Sequence, residues 1–442
     1  MRRFIIAGTK SGCGKTTVVC ALLAALKRRD MAVSAFKCGP DYIDPMFHRK
    51  VIGVDSRNLD CFFCDRDTVL ALLGEYGSKA DISVIEGVMG FYDGTAGSAY
   101  SLSEMTGTPA VIVIDCKGMS DSIGAVMNGF LHYRENRIAG FFFNCLPEKL
   151  IPLAKKLCDE LGTAYFGCLP KNDITIASRH LGLVTADEIA DIQAKLDKLG
   201  ELAEKYINID KLINICDTPL PGHGTPEIPL FQNTPTIAVA KDRAFCFIYQ
   251  ENIELLEKMG CRIEYFSPLS DSSVPKADGL ILCGGYPELY AEHLSANMSM
   301  LADVRNNISM GMPTIAECGG FMYLHDELTD GSGSTYAMAG VIKGRAFPTE
   351  RLQRFGYITL SSVVESLLMR AGGTLRAHEF HYWESTNCGN ALTAEKSDER
   401  NWECCHTSDS LYAGFPHIYF YSDIGATARF VRKCISYGEK NG

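Results

Sequence analysis

The sequence predicts an α/β chain built from two doubly wound parallel-sheet domains. Three observations carry this. Short apolar runs alternate with amphipathic helical segments in both halves of the 442 residues. A proline- and glycine-rich stretch divides the halves. Glycine-rich turns with chemically active side chains follow the strand runs, where ligands of such sheets bind.

The first strand, Phe4–Ala7, leads into Gly8-Thr-Lys-Ser-Gly-Cys-Gly14-Lys15-Thr16-Thr17. Gly12 and Gly14 let backbone N–H groups turn toward phosphate oxygens, at the start of a helix with Val19, Leu22, Leu23 and Leu26 on one face. Lys15 is expected to reach the terminal phosphates of ATP and the Thr16 hydroxyl to bind Mg2+. The strict pattern wants glycine at position 9, which is Thr9 here, so the loop is a variant. Lys10 fits deviant loops with a second lysine ahead of the glycines.

Acidic residues follow the next strands. Phe36-Lys-Cys-Gly-Pro-Asp41-Tyr42-Ile-Asp44-Pro-Met-Phe-His48 is dense in turn formers and carboxylates. Glu86 follows the apolar run Ile82–Ile85, where a carboxylate can reach magnesium, and Asp93 lies just beyond. Asp115 ends the run Ala110–Ile114. Each of these acids is equally well placed as a helix cap. A further strand is expected at Ile138–Phe143 and a helix opening at Thr185, with Glu188 completing a capping box.

Pro219, Pro221, Pro226, Pro229 and Pro235, with Gly222 and Gly224, mark a linker at 216–234 between domains at 1–215 and 235–442. Strands then recur at Thr236–Ala240, Arg262–Phe266, Gly279–Leu282 and Pro313–Ala316. The last runs into Glu317-Cys318-Gly319-Gly320, a sharp elbow that raises a thiol for nucleophilic attack. Gly284 and Gly285 offer N–H groups for an oxyanion hole. His417 is the candidate base, with His378 and His381 as competitors. Cys61 and Cys64 have zinc-type spacing without a second pair nearby and read as structural; Cys404-Cys405 reads as a reduced pair.

Composition bounds the rest. No apolar run approaches the ~20 residues that span a bilayer. Only four apolar residues precede the first loop, too few for a secretory signal, and eighteen cysteines then argue for a reducing cytoplasm. A net charge of −10 argues against nucleic acid as a partner.

At these motifs the chain resembles the cobyrinic acid a,c-diamide synthases, glutamine-dependent amidases of corrinoid biosynthesis. The similarity runs through FKCGPDYIDPMFH at 36–48, EGVMGFYDG at 86–94, RHLGLV at 179–184, VAKDRAFCFIYQEN at 239–252, FSPLSD at 266–271, GGYPE at 284–288, AECGGFMYL at 316–324 and HEFHYWE at 378–384. It implies an N-terminal P-loop amidoligase domain similar to dethiobiotin synthetase and a C-terminal class I glutamine amidotransferase domain with a flavodoxin-like sheet. By resemblance, Cys318 attacks glutamine with help from His417. ATP phosphorylates the a- and c-acetate carboxylates of a cobyrinate-type macrocycle, and ammonia displaces the phosphate. Asp41, Tyr42, Asp44, Glu86 and Asp93 match positions serving substrate, magnesium or phosphoryl transfer, and Asn144 matches a position that reads adenine. The implied partners are small molecules in the cytoplasm, with no membrane, and a homodimer is compatible with them.

Two departures stand out. The family pattern His-x-His-Phe is His417-Ile-Tyr419-Phe420 here, and Tyr419 stands where many class I amidotransferases carry a glutamate, which implies a Cys–His dyad. Ser98-Ala-Tyr-Ser also departs from the usual Ser-Thr-Ala. The same chemistry on hydrogenobyrinate or nickel-sirohydrochlorin is an alternative. So is a ParA-like ATPase switch with an inert second domain, against which Cys318, His417 and the carboxylate-rich 36–48 segment count.

Overall fold

A computed structural model describes residues 1–94, 97–171, 174, 178–179, 182–183 and 192–441. The chain forms two compact units, Met1–Pro226 and Glu227–Gly442.

The first unit is a seven-stranded, all-parallel sheet of β1 (Arg3–Gly8), β2 (Val33–Cys38), β3 (Asp55–Leu59), β4 (Ile82–Glu86), β5 (Ala110–Asp115), β6 (Ile138–Asn144) and β7 (Ala164–Leu169), in the order β3-β2-β4-β1-β5-β6-β7. β1, β4 and β5 are near-continuous Val, Ile and Phe runs because helices cover both faces of a parallel sheet. Helix α1 (Lys15–Arg28) follows β1 and buries Val18, Val19, Leu22, Leu23 and Leu26. The capping box at Thr185 and Glu188, and half of the 179–184 motif, lie outside the described residues. The helix there is described from Ile192 to Tyr206; it buries Leu196, Leu199 and Ala203 and packs on α1.

The stretch expected as a linker at 216–234 is partly tied down. Arg3 is fully buried and donates to Thr108 Oγ1 (2.9 Å), Thr106 O (2.9 Å), Thr218 O (2.7 Å) and Pro219 O (3.1 Å). Arg66 likewise reaches Gly222 O at 3.0 Å, while Phe231 N bonds Met259 O at 3.0 Å in the second unit. The prolines stop helix and sheet formation, yet the carbonyls of Thr218, Pro219 and Gly222 still find donors on the first unit.

The second unit centres on five parallel strands in the order Arg262–Phe266, Thr236–Ala240, Gly279–Leu282, Thr314–Glu317, Leu411–Gly414, with His406–Thr407 antiparallel at the edge. The expected strand–helix alternation stops at residue 324. Between His325 and Thr407 the chain forms two largely antiparallel sheets, one of them built around the pairing of Arg354–Ser361 with Thr374–His381. Those strands alternate buried and exposed residues, as sheets with one wet face do. Among the described residues no helix is long and apolar enough to cross a membrane.

Arg3→Ala removes a charged donor that serves the buried Thr106 carbonyl and the part-buried carbonyls of Thr218 and Pro219. It is expected to destabilise the first unit by on the order of 3 kcal/mol in denaturant unfolding. A change within about 0.5 kcal/mol, the range of ordinary surface substitutions, would show that these bonds do not hold the segment.

Candidate active site

In the first unit the loop between β1 and α1 curls over the carboxyl end of the sheet. Gly12 and Gly14 take φ values of 71° and 94°, which side chains disfavour. A Cβ on Gly14 would also lie 2.1 Å from Asn144 Nδ2. Asn144 ends β6 and donates from Nδ2 to Cys13 O at 3.0 Å, so it braces this loop. Lys15 arches back to the carbonyls of Met89 and Lys10, and burial pushes its ammonium pKa down.

Thr16 Oγ1 donates to Glu86 Oε1 at 2.7 Å. The parallel register of β2 and β4 sets Lys37 directly beside Glu86, and their charged atoms lie 3.2 Å apart. Lys37 also pairs closely with Asp44, and with Asp41 Oδ2 at 3.8 Å. His48, fully buried, approaches Glu86 Oε2 with Nε2 at 3.5 Å and Ser56 Oγ with Nδ1 at 3.2 Å. Burial works against the charge on Lys37, but Asp44, Glu86 and Asp41 more than offset it and raise its pKa. Burial likewise opposes ionisation of Glu86; Lys37, ahead of His48 and Thr16, overrides it and holds Glu86 below the ordinary carboxylate range. Burial, with Glu86 adding, pushes Asp44 up. A hydroxyl and an ionised carboxylate converging beside a phosphate loop, Thr16 and Glu86, are hard-oxygen donors that suit magnesium.

The other expected residues sit around this cluster. Asp41 Oδ1 accepts from Ile43 N at 2.9 Å, and Tyr42 is buried at the start of the following helix turn. Asp93 is exposed and caps its own turn, accepting from Gly90 N at 2.9 Å. Asp115 lies 3.9 Å from Lys10 Nζ. Lys37 and His48, which received no role from the sequence, are integral to the cluster. A lone lysine between Phe36 and Cys38 in a fully buried strand was the available signal.

In the second unit Cys318 occupies a left-handed elbow (φ 48°) between the strand Thr314–Glu317 and the short helix Gly319–Tyr323. Its N–H donates to Gly414 O at 2.8 Å, which ties the elbow to the neighbouring strand. A Cβ on Gly320 would sit 2.0 Å from Leu282 O, one on Gly319 2.9 Å from Pro287, and one on Gly284 2.6 Å from the His417 ring. Close backbone approach therefore requires glycine at all three.

His417 is buried beside the elbow and hydrogen-bonds Cys318. Its Nδ1 lies 3.5 Å from Glu317 Oε2. Burial alone would lower its pKa; Cys318 first, then Glu317, push it up to about 10. His378 stands directly across from His417 in the antiparallel register, pushed down to about 3 by burial and then by His417, so it is neutral. His381 faces away: its ring stacks on Phe415 at 3.9 Å, and Nδ1 bonds Trp383 O at 2.6 Å. Cys318 and His417 are thus together, while His381 is not part of their contact. Glu317 was not anticipated; its place next to the nucleophile in sequence carries no periodic signal. All eighteen cysteines are free, with Cys61 Sγ 3.6 Å from Met105 Sδ and Cys404 Sγ 3.6 Å from Cys405 Sγ.

Comparison with known proteins agrees with this division. Residues 4–184 match the family model of the CobQ/CobB/MinD/ParA nucleotide binding domain, and residues 236–424 that of the CobB/CobQ-like glutamine amidotransferase domain. The chain is 36% identical over 452 residues to the cobyrinate a,c-diamide synthase of Caldanaerobacter subterraneus subsp. tengcongensis, covering 99% of this chain and all of the relative. It is 37% identical to that of Thermoplasma volcanium (99% and 98% covered) and 38% identical to that of Listeria monocytogenes serovar 1/2a (96% and 97%).

Lys37→Met tests the charge cluster. Glu86 is held low in the native protein, so its stabilisation is present at neutral pH and lost as pH falls through the folded value. Without Lys37 the sign reverses. The variant is expected to lose about 3–5 kcal/mol near pH 7 and to recover part of it toward pH ~5 as Asp44 and Glu86 take up protons. A loss independent of pH, measured by denaturant unfolding across that range, would contradict the assignment.

Proposed function

Because the chain belongs to the cobyrinate a,c-diamide synthase family and is an amidating ligase, we propose that it amidates the a- and c-acetate carboxylates of cobyrinate, using ATP and glutamine. The observation that carries this reading is the coexistence in one chain of a phosphate loop beside an ionised Glu86 and a Cys318–His417 pair at an elbow. Neither alone makes an amide from an unactivated acid with glutamine as the nitrogen source.

In the second unit the Cys318 sulfur bonds to the side-chain amide carbon of glutamine. As the C–N bond breaks, the nitrogen takes a proton from His417 and leaves as ammonia. Water then cleaves the thioester, releasing glutamate and restoring the thiol. Gly284 and Gly285, next to His417 and Gly319, are the candidate donors to the oxyanion.

In the first unit Gly12, Gly14 and Lys15 hold the nucleotide phosphates, and Asn144 keeps the loop in shape. Thr16 and Glu86 would hold Mg2+, which supplies charge neutralisation on the transferred phosphoryl group. A substrate carboxylate oxygen attacks the terminal phosphorus and ADP leaves. Ammonia then attacks the acyl carbon, phosphate departs, and the nitrogen gives up a proton to form the amide. Asp41, Tyr42, Asp44 and Asp93 are the proposed substrate-side residues, and Lys37 keeps the carboxylates beside it from repelling the incoming acid.

Cys318→Ala is expected to abolish amidation from glutamine while retaining it from high ammonium, and His417→Ala to lower glutamine hydrolysis by ~10²-fold or more. Lys15→Ala should stop amidation from either nitrogen source. Near-normal ammonium-dependent product from Lys15→Ala, followed by mass, would remove the phosphate loop from the reaction and the synthase reading with it.

A further inference from the structure

We propose that Glu317 is the positioning carboxylate of the glutamine-hydrolysing centre, supplied from the residue before the nucleophile because the position after the histidine cannot supply one. The inference rests on Cys318 and His417 being the reacting pair.

The position two residues after His417 is Tyr419, which is fully buried and packed edge-on against Tyr249 at 5.1 Å. It carries no charge and is committed to an aromatic cluster. Glu317 ends the strand Thr314–Glu317, and its Cα pairs with Gly414 in register. That pairing brings the 414–418 segment over the glutamate. Both carboxylate oxygens are then used on adjacent residues: Oε1 accepts from Ile418 N at 3.0 Å, and Oε2 lies 3.5 Å from His417 Nδ1. The side chain is only 8% exposed, so water screens this contact weakly.

Such an arrangement does two things that an uncharged anchor could not. It keeps the proton on Nδ1, which leaves Nε2 for the Cys318 sulfur. It also stabilises the imidazolium that forms when the thiol gives up its proton, the part a carboxylate plays in catalytic triads generally. The titratable groups facing His417 are Cys318 and Glu317 from the elbow and His378 from the strand across; Cys283 and Tyr412 face Glu317. Glu317 is the sole carboxylate among those facing His417 in the described residues. The dyad implied by Tyr419 thus gains its third member from the opposite side of the nucleophile.

The test separates charge from anchoring. Glu317→Gln keeps an oxygen for Ile418 N–H but removes the charge. It is expected to lower kcat for glutamine hydrolysis by at least ~10-fold with KM for glutamine little changed, and to move the alkaline limb of kcat/KM to lower pH. Amidation from high ammonium, which does not use this site, reports that each variant is folded. If Glu317→Gln hydrolyses glutamine like the unmodified protein and only Glu317→Ala is impaired, the residue anchors the strand and the proposal is overturned. An impaired Glu317→Gln with an unmoved alkaline limb overturns it equally. Persistence of hydrolysis in Cys318→Ala would instead strike the underlying pair, and the two failures are therefore distinguishable.

Discussion

Three carboxylates converge on the buried ammonium of Lys37, and the N-terminal site depends on that one positive charge. Opposite charges ~4 Å apart at an effective dielectric of ~20 attract by about 4 kcal/mol, which is what makes buried ions tolerable. Removed from Lys37, Asp44 and Glu86 would repel each other in a medium that hydrates neither. The register of β2 against β4 sets this contact, because it aligns Lys37 with Glu86 at the end of both strands. Thr16 approaches the same carboxylate from the phosphate loop. An ionised Glu86 is consequently held in place before any cation or phosphate arrives, and preorganised charge of this kind is what phosphoryl transfer requires.

The second unit solves a different problem with the same kind of scaffold. A thiol must be presented clear of its own strand, and the elbow achieves this by forcing Cys318 to φ 48°. Only a backbone stripped of side chains lets strand, elbow and histidine close up to this extent, as the clashes expected at Gly284, Gly319 and Gly320 show. The bond from Cys318 N to Gly414 O then couples the elbow to the strand that leads to His417. Backbone geometry does here what the charge cluster does in the first unit: it sets reacting groups in position in advance.

Much of this was legible in the sequence, for identifiable reasons. Fully buried parallel strands read as unbroken apolar runs, so Thr236–Ala240 and Gly279–Leu282 match the described strands residue for residue. The glycine loop and the elbow were visible because each packs its chemistry into consecutive residues. The antiparallel sheets between His325 and Thr407 were not, since their strands mix polar and apolar residues instead of forming apolar runs. Lys37, His48 and Glu317 escaped for a related reason. Each contacts a residue distant in the chain, Glu86 or His417, that only the folded structure brings near. Asn144 illustrates the converse: its position was anticipated, but the contact it makes here is with the loop backbone at Cys13.

The central claim is that one chain both frees nitrogen from glutamine and installs it on activated macrocycle carboxylates. Its most direct test supplies cobyrinate, ATP, magnesium and glutamine labelled with 15N at the side-chain amide, and reads the product by mass. The account predicts two labelled amide nitrogens per macrocycle, formed only when ATP is present. Unlabelled product, or labelled product formed without ATP, would contradict it.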